Sequence, residues 1–216
     1  MAIISIFLSL LAFSVHIVAA NVVRLDFERR EVLDDQQPDV LRRSTDTEPV
    51  YNSEGSLLYL INVTVGTPPQ KLQLQLDTGS SDIWIPWVRS LQCAQQFLCT
   101  DDGSYDETKS STYTLVQSST FSISYVDGSR IRGDYVADTF DMGSVSIPQM
   151  IMGLAKTAQE PENIQTFQGI MGIGLEANEA INAQSGTTYD NLVTRLKNSG
   201  AINTRAYSLW LNDKGW

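Results

Sequence analysis

Histidine is all but missing from this sequence. The one imidazole, His16, lies inside Met1–Ala20, an uncharged stretch rich in Ile, Leu, Phe and Val. Once that stretch is removed, nothing is left to activate a serine or cysteine nucleophile through an imidazole, or to build a His-containing metal site. No metal and no cofactor is expected, and acid–base chemistry falls to carboxylates. Basic side chains are scarce too: fifteen Lys and Arg stand against twenty-five Asp and Glu, a formal charge of −10. A nucleic-acid surface needs clustered Lys and Arg to neutralise phosphates, and no basic stripe is present, so nucleic acid is excluded as a partner. After residue 20 no second apolar run is long enough to span a bilayer. What remains is 42% hydrophobic over 216 residues, enough for a packed core in one ordinary domain or two small ones.

Met1–Ala20 closes on Val18-Ala19-Ala20, a small-residue cleavage site, and reads as a secretory signal peptide, although its start lacks the usual Lys or Arg and a signal anchor stays open. Secretion makes an extracellular or cell-surface destination the expectation. Cys93 and Cys99, the only cysteines, then most simply form a local disulfide, two free thiols being the cytosolic alternative. Residues 21–43 change composition sharply and end at Leu41-Arg42-Arg43-Ser44. One reading is a solvated linker. The other is a propeptide cut after Arg43, which takes five of the fifteen basic and six of the twenty-five acidic side chains and leaves residues 44–216 at −9.

In residues 44–216 the informative stretch is Leu72–Pro86, LQLQLDTGSSDIWIP. Leu72, Leu74 and Leu76 alternate with glutamines as a strand, which breaks at Asp77-Thr78-Gly79-Ser80-Ser81 before Ile83-Trp84-Ile85 resumes. A carboxylate is thus placed where a buried strand ends, although a lone Asp-Thr-Gly is also an ordinary turn. Upstream, Tyr59–Val65 reads as a strand entering the Gly66-Thr67-Pro68-Pro69-Gln70 turn, and Asn62-Val63-Thr64 within it is an N-glycosylation sequon. A sequon inside a strand leaves its use open. Val88–Thr114 is expected as loop. Phe121–Tyr125, an Asp127-Gly128 turn and Arg130–Phe140 predict a β-hairpin that suits either a mobile flap or a plain surface hairpin. Val145–Leu154 is a strand candidate interrupted by Pro148. Glycines 169, 172 and 174 run GxxGxG, the reverse of a dinucleotide fingerprint, without an acidic ribose partner downstream. Thr188–Gly200 predicts a packing helix capped by Thr188, and Tyr207–Leu211 one further strand.

Taken in order, Gly66–Gln70, the Asp77 loop with Trp84, the small cysteine loop, the hairpin carrying Tyr125, Ile170-Met171-Gly172 and the late helix resemble the amino-terminal lobe of the pepsin-like aspartic proteases over Tyr59–Leu211. Tyr125–Ser129 and Tyr189–Leu192 look closest to the secreted fungal branch that includes yapsins and candidapepsins. The resemblance implies a mainly β fold, a lobe of closed or packed antiparallel sheets with one or two short helices. It implies that Asp77 is catalytic, that Thr78 and Gly79 hold the loop against a twin loop, and that Ser80 hydrogen-bonds the outer oxygen of Asp77. It also implies that Tyr125, with Asp127 and Gly128, closes over a peptide or protein substrate, and that Trp84 positions Tyr125; Trp84 as plain core is compatible with that role.

Peptide hydrolysis without a nucleophilic side chain uses a water held between two carboxylates, one ionised to take its proton and one protonated to donate to the scissile carbonyl. Like charges so close share one proton. This sequence has one Asp-Thr-Gly and no second; Asp134, Asp138 and Asp141 lack the following Thr/Ser-Gly. The second lobe of the family is absent from these residues. The expectation is therefore the amino-terminal half of a longer enzyme, inactive alone. A homodimer of the retroviral type and a non-catalytic lobe that binds peptides or inhibitors are the alternatives.

Overall fold

The computed structural model describes residues 21–25, 28–32, 56–159 and 167–209, the backbone alone for 28–32 and 56–58. The expected signal peptide, 1–20, and most of the expected propeptide, 21–43, lie outside the described residues.

Strands dominate, as the alternation predicts. In chain order they are β1 (Glu28–Val32), β2 (Ser56–Val65), β3 (Gln70–Asp77), β4 (Ile83–Pro86), β5 (Thr114–Ser124), β6 (Arg130–Met142), β7 (Val145–Gln159) and β8 (Gly169–Gly172). Three short helices accompany them, α1 (Leu91–Ala94), α2 (Ala180–Ser185) and α3 (Leu192–Asn198). The sheet runs β1-β2-β3-β8-β4-β7-β6-β5, and β2 pairs again with β6 through Val63↔Met142 and Val65↔Phe140, which curls the sheet onto itself. Apolar side chains on the inner face then meet. Leu72, Leu74, Ile61, Val63 and Val65 pack with Val136, Phe140, Met150, Met152 and Leu154 in one cluster. A second, aromatic-rich cluster gathers Trp84, Phe121, Tyr135 and Phe167 with Cys99.

The β1 strand falls within the expected propeptide, yet it pairs antiparallel with β2, Glu28↔Leu60 to Val32↔Ser56. Val23 and Leu25 just before it pack on the aliphatic cluster.

Several local expectations need revision. The hairpin turn is three residues, Val126–Gly128, closed by Tyr125 N–H donating to the Ser129 carbonyl at 2.9 Å, because Asp127 Oδ1 accepts from both Ser129 N–H (2.8 Å) and its hydroxyl (2.7 Å). Its first strand begins at Thr114, seven residues earlier than alternation suggests. On this outer strand of the sheet residues 114–119 are all exposed, Leu115 and Val116 included, so its beginning has no burial pattern to read. Pro148 does not end β7: Pro148 and Gln149 bulge opposite one residue of β6, with Gln149 at φ +52°, and pairing resumes at Met150↔Asp138. The late helix starts at Leu192, capped by Asn191, whose Oδ1 accepts Thr194 N–H at 3.2 Å; Thr188 is not the cap. Tyr207–Leu209 form no strand, and the rest of that expected element lies outside the described residues. The 88–114 segment holds α1, a 3₁₀ turn at Glu107–Lys109 and the Cys93–Cys99 disulfide, tied to Phe167 by its N–H donating to the Leu98 carbonyl at 2.9 Å.

Candidate active site

Asp77 is the last residue of β3, and β3 runs parallel to β8 with Asp77 opposite Gly172. The chain turns there because the Asp77 carboxylate collects the next residues: Oδ1 accepts Gly79 N–H at 2.8 Å and Oδ2 accepts the Ser80 hydroxyl at 2.5 Å. Its carbonyl accepts Ile173 N–H at 2.9 Å. The carboxylate is half-buried, Thr78 and Gly79 are exposed, and Ser80 is turned inward. An oriented acid with one accessible face can hold a water.

The glycine run explains itself at this point. A Cβ at Gly172 would lie 2.6 Å from the Asp82 carbonyl, one at Gly174 2.8 Å from the Ser80 carbonyl, and one at Gly169 2.4 Å from the Trp84 carbonyl. These glycines admit the backbone of the Asp77 loop, and Gly172 and Gly174 N–H donate to Asp82 (3.1 Å) and Ser80 (2.8 Å) carbonyls. Their spacing is thus accounted for by backbone packing.

From the other side comes the hairpin. Trp84 Nε1–H donates to the Tyr125 hydroxyl at 2.8 Å, while the indole, 3% exposed, tilts against Phe167 at 5.4 Å. Trp84 is thus both core and tether. Burial drives the Tyr125 phenol well above its ordinary range; the hydrogen bond from Trp84 opposes this and the charge of Asp77 adds to it. Tyr125 therefore stays protonated beside the Asp77 loop. Asp127 and Gly128 sit at the hairpin tip, Gly128 at φ +90° and Val126 fully exposed.

Asn62 is not part of this constellation. It lies exposed on β2, its Oδ1 accepting from Gln73 Nε2 at 2.8 Å, beside a surface groove that Thr64, Lys71, Asp101 and Gly143 also line. That groove shares no residue with the Asp77 loop. The Cys93–Cys99 bridge stands behind Trp84 in the aromatic cluster. Among the described residues no group of His, Cys, Asp and Glu could hold a metal ion, and no helix is long and apolar enough to cross a membrane.

Sequence reasoning missed three residues that the structure brings to the underside of the loop. Asp82 is fully buried and accepts from the Tyr189 hydroxyl at 2.9 Å and Ala180 N–H at 2.8 Å. Glu179, at 1% exposure, accepts Tyr189 N–H at 2.9 Å. The available signal was an acid wedged directly before Ile83-Trp84-Ile85, where a solvated side chain has no place.

Residues 58–215 match the family described as eukaryotic aspartyl protease. The chain is similar to an acid protease of Saccharomycopsis fibuligera, 43% identical over 177 residues, 81% of this chain and 41% of that one. It is similar to the aspartic proteinase yapsin-3 of Saccharomyces cerevisiae, 33% identical over 199 residues, 89% of this chain and 38% of that one. Candidapepsin-4 of Candida albicans is 34% identical over 242 residues, 95% of this chain and 55% of that one. Among solved structures, the aspartic proteinase from Irpex lacteus superposes with a TM-score of 0.53 at 25% identity, covering 68% of this chain and 38% of that one. The likeness is that of a single pepsin-like lobe. The chain spans about two fifths of the length of most of these relatives.

Proposed function

Because this chain belongs to the eukaryotic aspartyl protease family, we propose that it contributes Asp77 as one of the two catalytic carboxylates of an aspartic endopeptidase. The observation that carries this reading is the Asp77 carboxylate itself, held at a strand end by Gly79 N–H and the Ser80 hydroxyl and overhung by the hairpin whose Tyr125 is tethered to Trp84. In the reaction a water lies between Asp77 and a second carboxylate. The ionised partner takes a proton from the water, its oxygen bonds to the scissile carbonyl carbon, and the protonated partner donates to the carbonyl oxygen. Collapse of that tetrahedral carbon breaks the C–N bond as the first carboxyl passes the water's proton to the amine nitrogen and the second takes its proton back from the hydroxyl that becomes the carbonyl. One lobe offers one such aspartate, so the second comes from a further lobe of the same polypeptide or from a second copy of this chain. Thr78 and Gly79, exposed at the loop's outer edge, are the residues that would meet its twin.

Tyr125 closes over a peptide or protein substrate, with Asp127 and Gly128 shaping the tip and Trp84 setting the angle of Tyr125. Secretion through residues 1–20 places the enzyme outside the cell or at its surface. A cut after Arg43 would withdraw β1 from the edge of β2, so maturation would also rearrange that side of the lobe.

The test has two parts. Sequencing the transcript across Trp216 asks whether a second Asp-Thr/Ser-Gly is encoded. Assaying the encoded protein on an unfolded substrate at acidic pH should show cleavage that a statine-type mimic blocks and that Asp77→Asn lowers by about 10²-fold or more. Peptide affinity that survives Asp77→Asn, with no turnover in the parent protein, would replace the enzyme reading with that of a binding lobe.

A further inference from the structure

Asp82 follows Asp77 by five residues, in the segment that turns under the loop. It is 0% exposed, and three elements close on it. Tyr189, ahead of α3, donates its hydroxyl to Oδ1 at 2.9 Å; Tyr135, on the return strand of the hairpin, approaches the same oxygen at 3.4 Å; Ala180, the first residue of α2, donates its N–H to Oδ2 at 2.8 Å. The Asp82 carbonyl takes Gly172 N–H at 3.1 Å, and Gly172 is the residue paired with Asp77. A buried carboxyl group that meets three donors from three separate segments ties those segments together.

Glu179 stands beside this node. Its Oε2 accepts Tyr189 N–H at 2.9 Å, and its buried Oε1 meets no hydrogen-bond partner among the described residues. The charged groups that act on it are Asp82 on the loop, Glu176 on the turn before α2 and Asp190 before α3, all acidic, with the neutral phenol of Tyr135 on β6 nearby. Arg205 approaches Glu176 at 3.9 Å but is itself largely exposed. Two buried acids thus share one tyrosine, which supplies its hydroxyl to Asp82 and its backbone N–H to Glu179.

We propose that Asp82 is a positioning residue for the Asp77 loop, gripping it through Tyr189 and Ala180, and that ionisation of Glu179 beside it loosens the grip. This rests on the reading of Asp77 as catalytic only for its consequence; the grip itself is a property of the lobe. Burial, followed by the charge of Asp82, pushes Glu179 from its ordinary 4.5 up to about 7, the Tyr189 N–H opposing the rise. Asp82 is raised by burial against its three hydrogen bonds. Glu179 therefore keeps its proton in the folded lobe through a range in which the unfolded chain releases it. Its contribution is fully present below about 4.5 and is lost as pH climbs through about 7. Ionisation of Glu179 therefore costs the loop part of its hold as pH rises from about 4.5 through about 7.

Hydrogen exchange of the secreted chain tests this without any assay of proteolysis, so its failure is distinct from failure of the enzyme reading. The amides of Gly172, Ile173 and Gly174, which donate to Asp82, Asp77 and Ser80, report the grip; amides of the β6–β7 ladder serve as reference. After correction for intrinsic exchange, protection of the three amides should fall relative to the reference between pH 4.5 and 7, and Glu179→Gln should flatten that fall. Tyr189→Phe should lower their protection about tenfold at acidic pH. If Tyr189→Phe does not fold, Asp82→Asn, which presents an amide nitrogen to one of the donors, should do the same. Wild-type protection that is flat with pH, a Glu179→Gln profile that still falls, or folded Tyr189→Phe or Asp82→Asn protein with unchanged protection would overturn the proposal.

Discussion

The lobe has two apolar clusters that differ in kind. The one beneath β3 is aliphatic and methionine-rich, built from Leu72, Leu74, Ile61, Val63, Val65, Met150 and Met152, and most of its members have no polar atom to place. The one beneath the hairpin is aromatic: Trp84, Phe121, Tyr135 and Phe167, with Tyr125 and Tyr189 packed at its rim. Phe121 and Tyr135 meet edge to face at 5.2 Å, and Tyr135 and Tyr189 at 5.9 Å. Aliphatic packing seats the strand that carries Asp77. Aromatic packing does something else, since each ring with a polar atom passes that atom on to the site, Trp84 to Tyr125 and the two tyrosines to Asp82. The first cluster holds the fold, and the second connects the hairpin to the loop.

That division of labour is breakable by experiment. Leu74 is 0% exposed at the centre of the aliphatic cluster, so Leu74→Ala should cost about 2–5 kcal/mol in urea unfolding, with the whole lobe losing cooperatively. A cost confined to the loop, with no change in global midpoint, would erase the contrast. Gly172→Ala should come next, at about 1–3 kcal/mol, because the new methyl meets Asp82 backbone at 2.6 Å and 2.8 Å and has no flexible side chain to displace. Tyr125→Phe sharpens the comparison from the other side. It removes the acceptor of Trp84 Nε1–H at an expected cost of about 1 kcal/mol, and the amides of Tyr125 and Gly128 should exchange faster while the β2–β3 ladder does not change. An equal loosening of both regions would show that the clusters act as one.

The geometry of the Asp77 loop was legible because it is local. Asp77, Gly79 and Ser80 lie within four residues, and the turn they make is written in their side chains. The hairpin and the alternation of β3 were legible for the same reason. The helix cap was not, since Thr188 and Asn191 are both good capping residues and only the capture of Tyr189 by Asp82 and Glu179 selects the later one. The start of β5 was hidden because an outer strand with exposed Leu115 and Val116 leaves no alternation to see. Asp82 received no reading from the sequence, because its partners Ala180 and Tyr189 lie 98 and 107 residues away.

The amino-acid sequence alone determined that no imidazole follows residue 20, that Asp77 ends a strand, and that three glycines are spaced through 169–174; each depends on composition or on neighbours a few residues apart. Tertiary structure decided the register that sets Asp77 opposite Gly172, the burial of Asp82 and Glu179 around one tyrosine, and the reach of Trp84 to Tyr125. Those require segments some forty to a hundred residues apart to be packed together, and such contacts leave no mark on the local pattern.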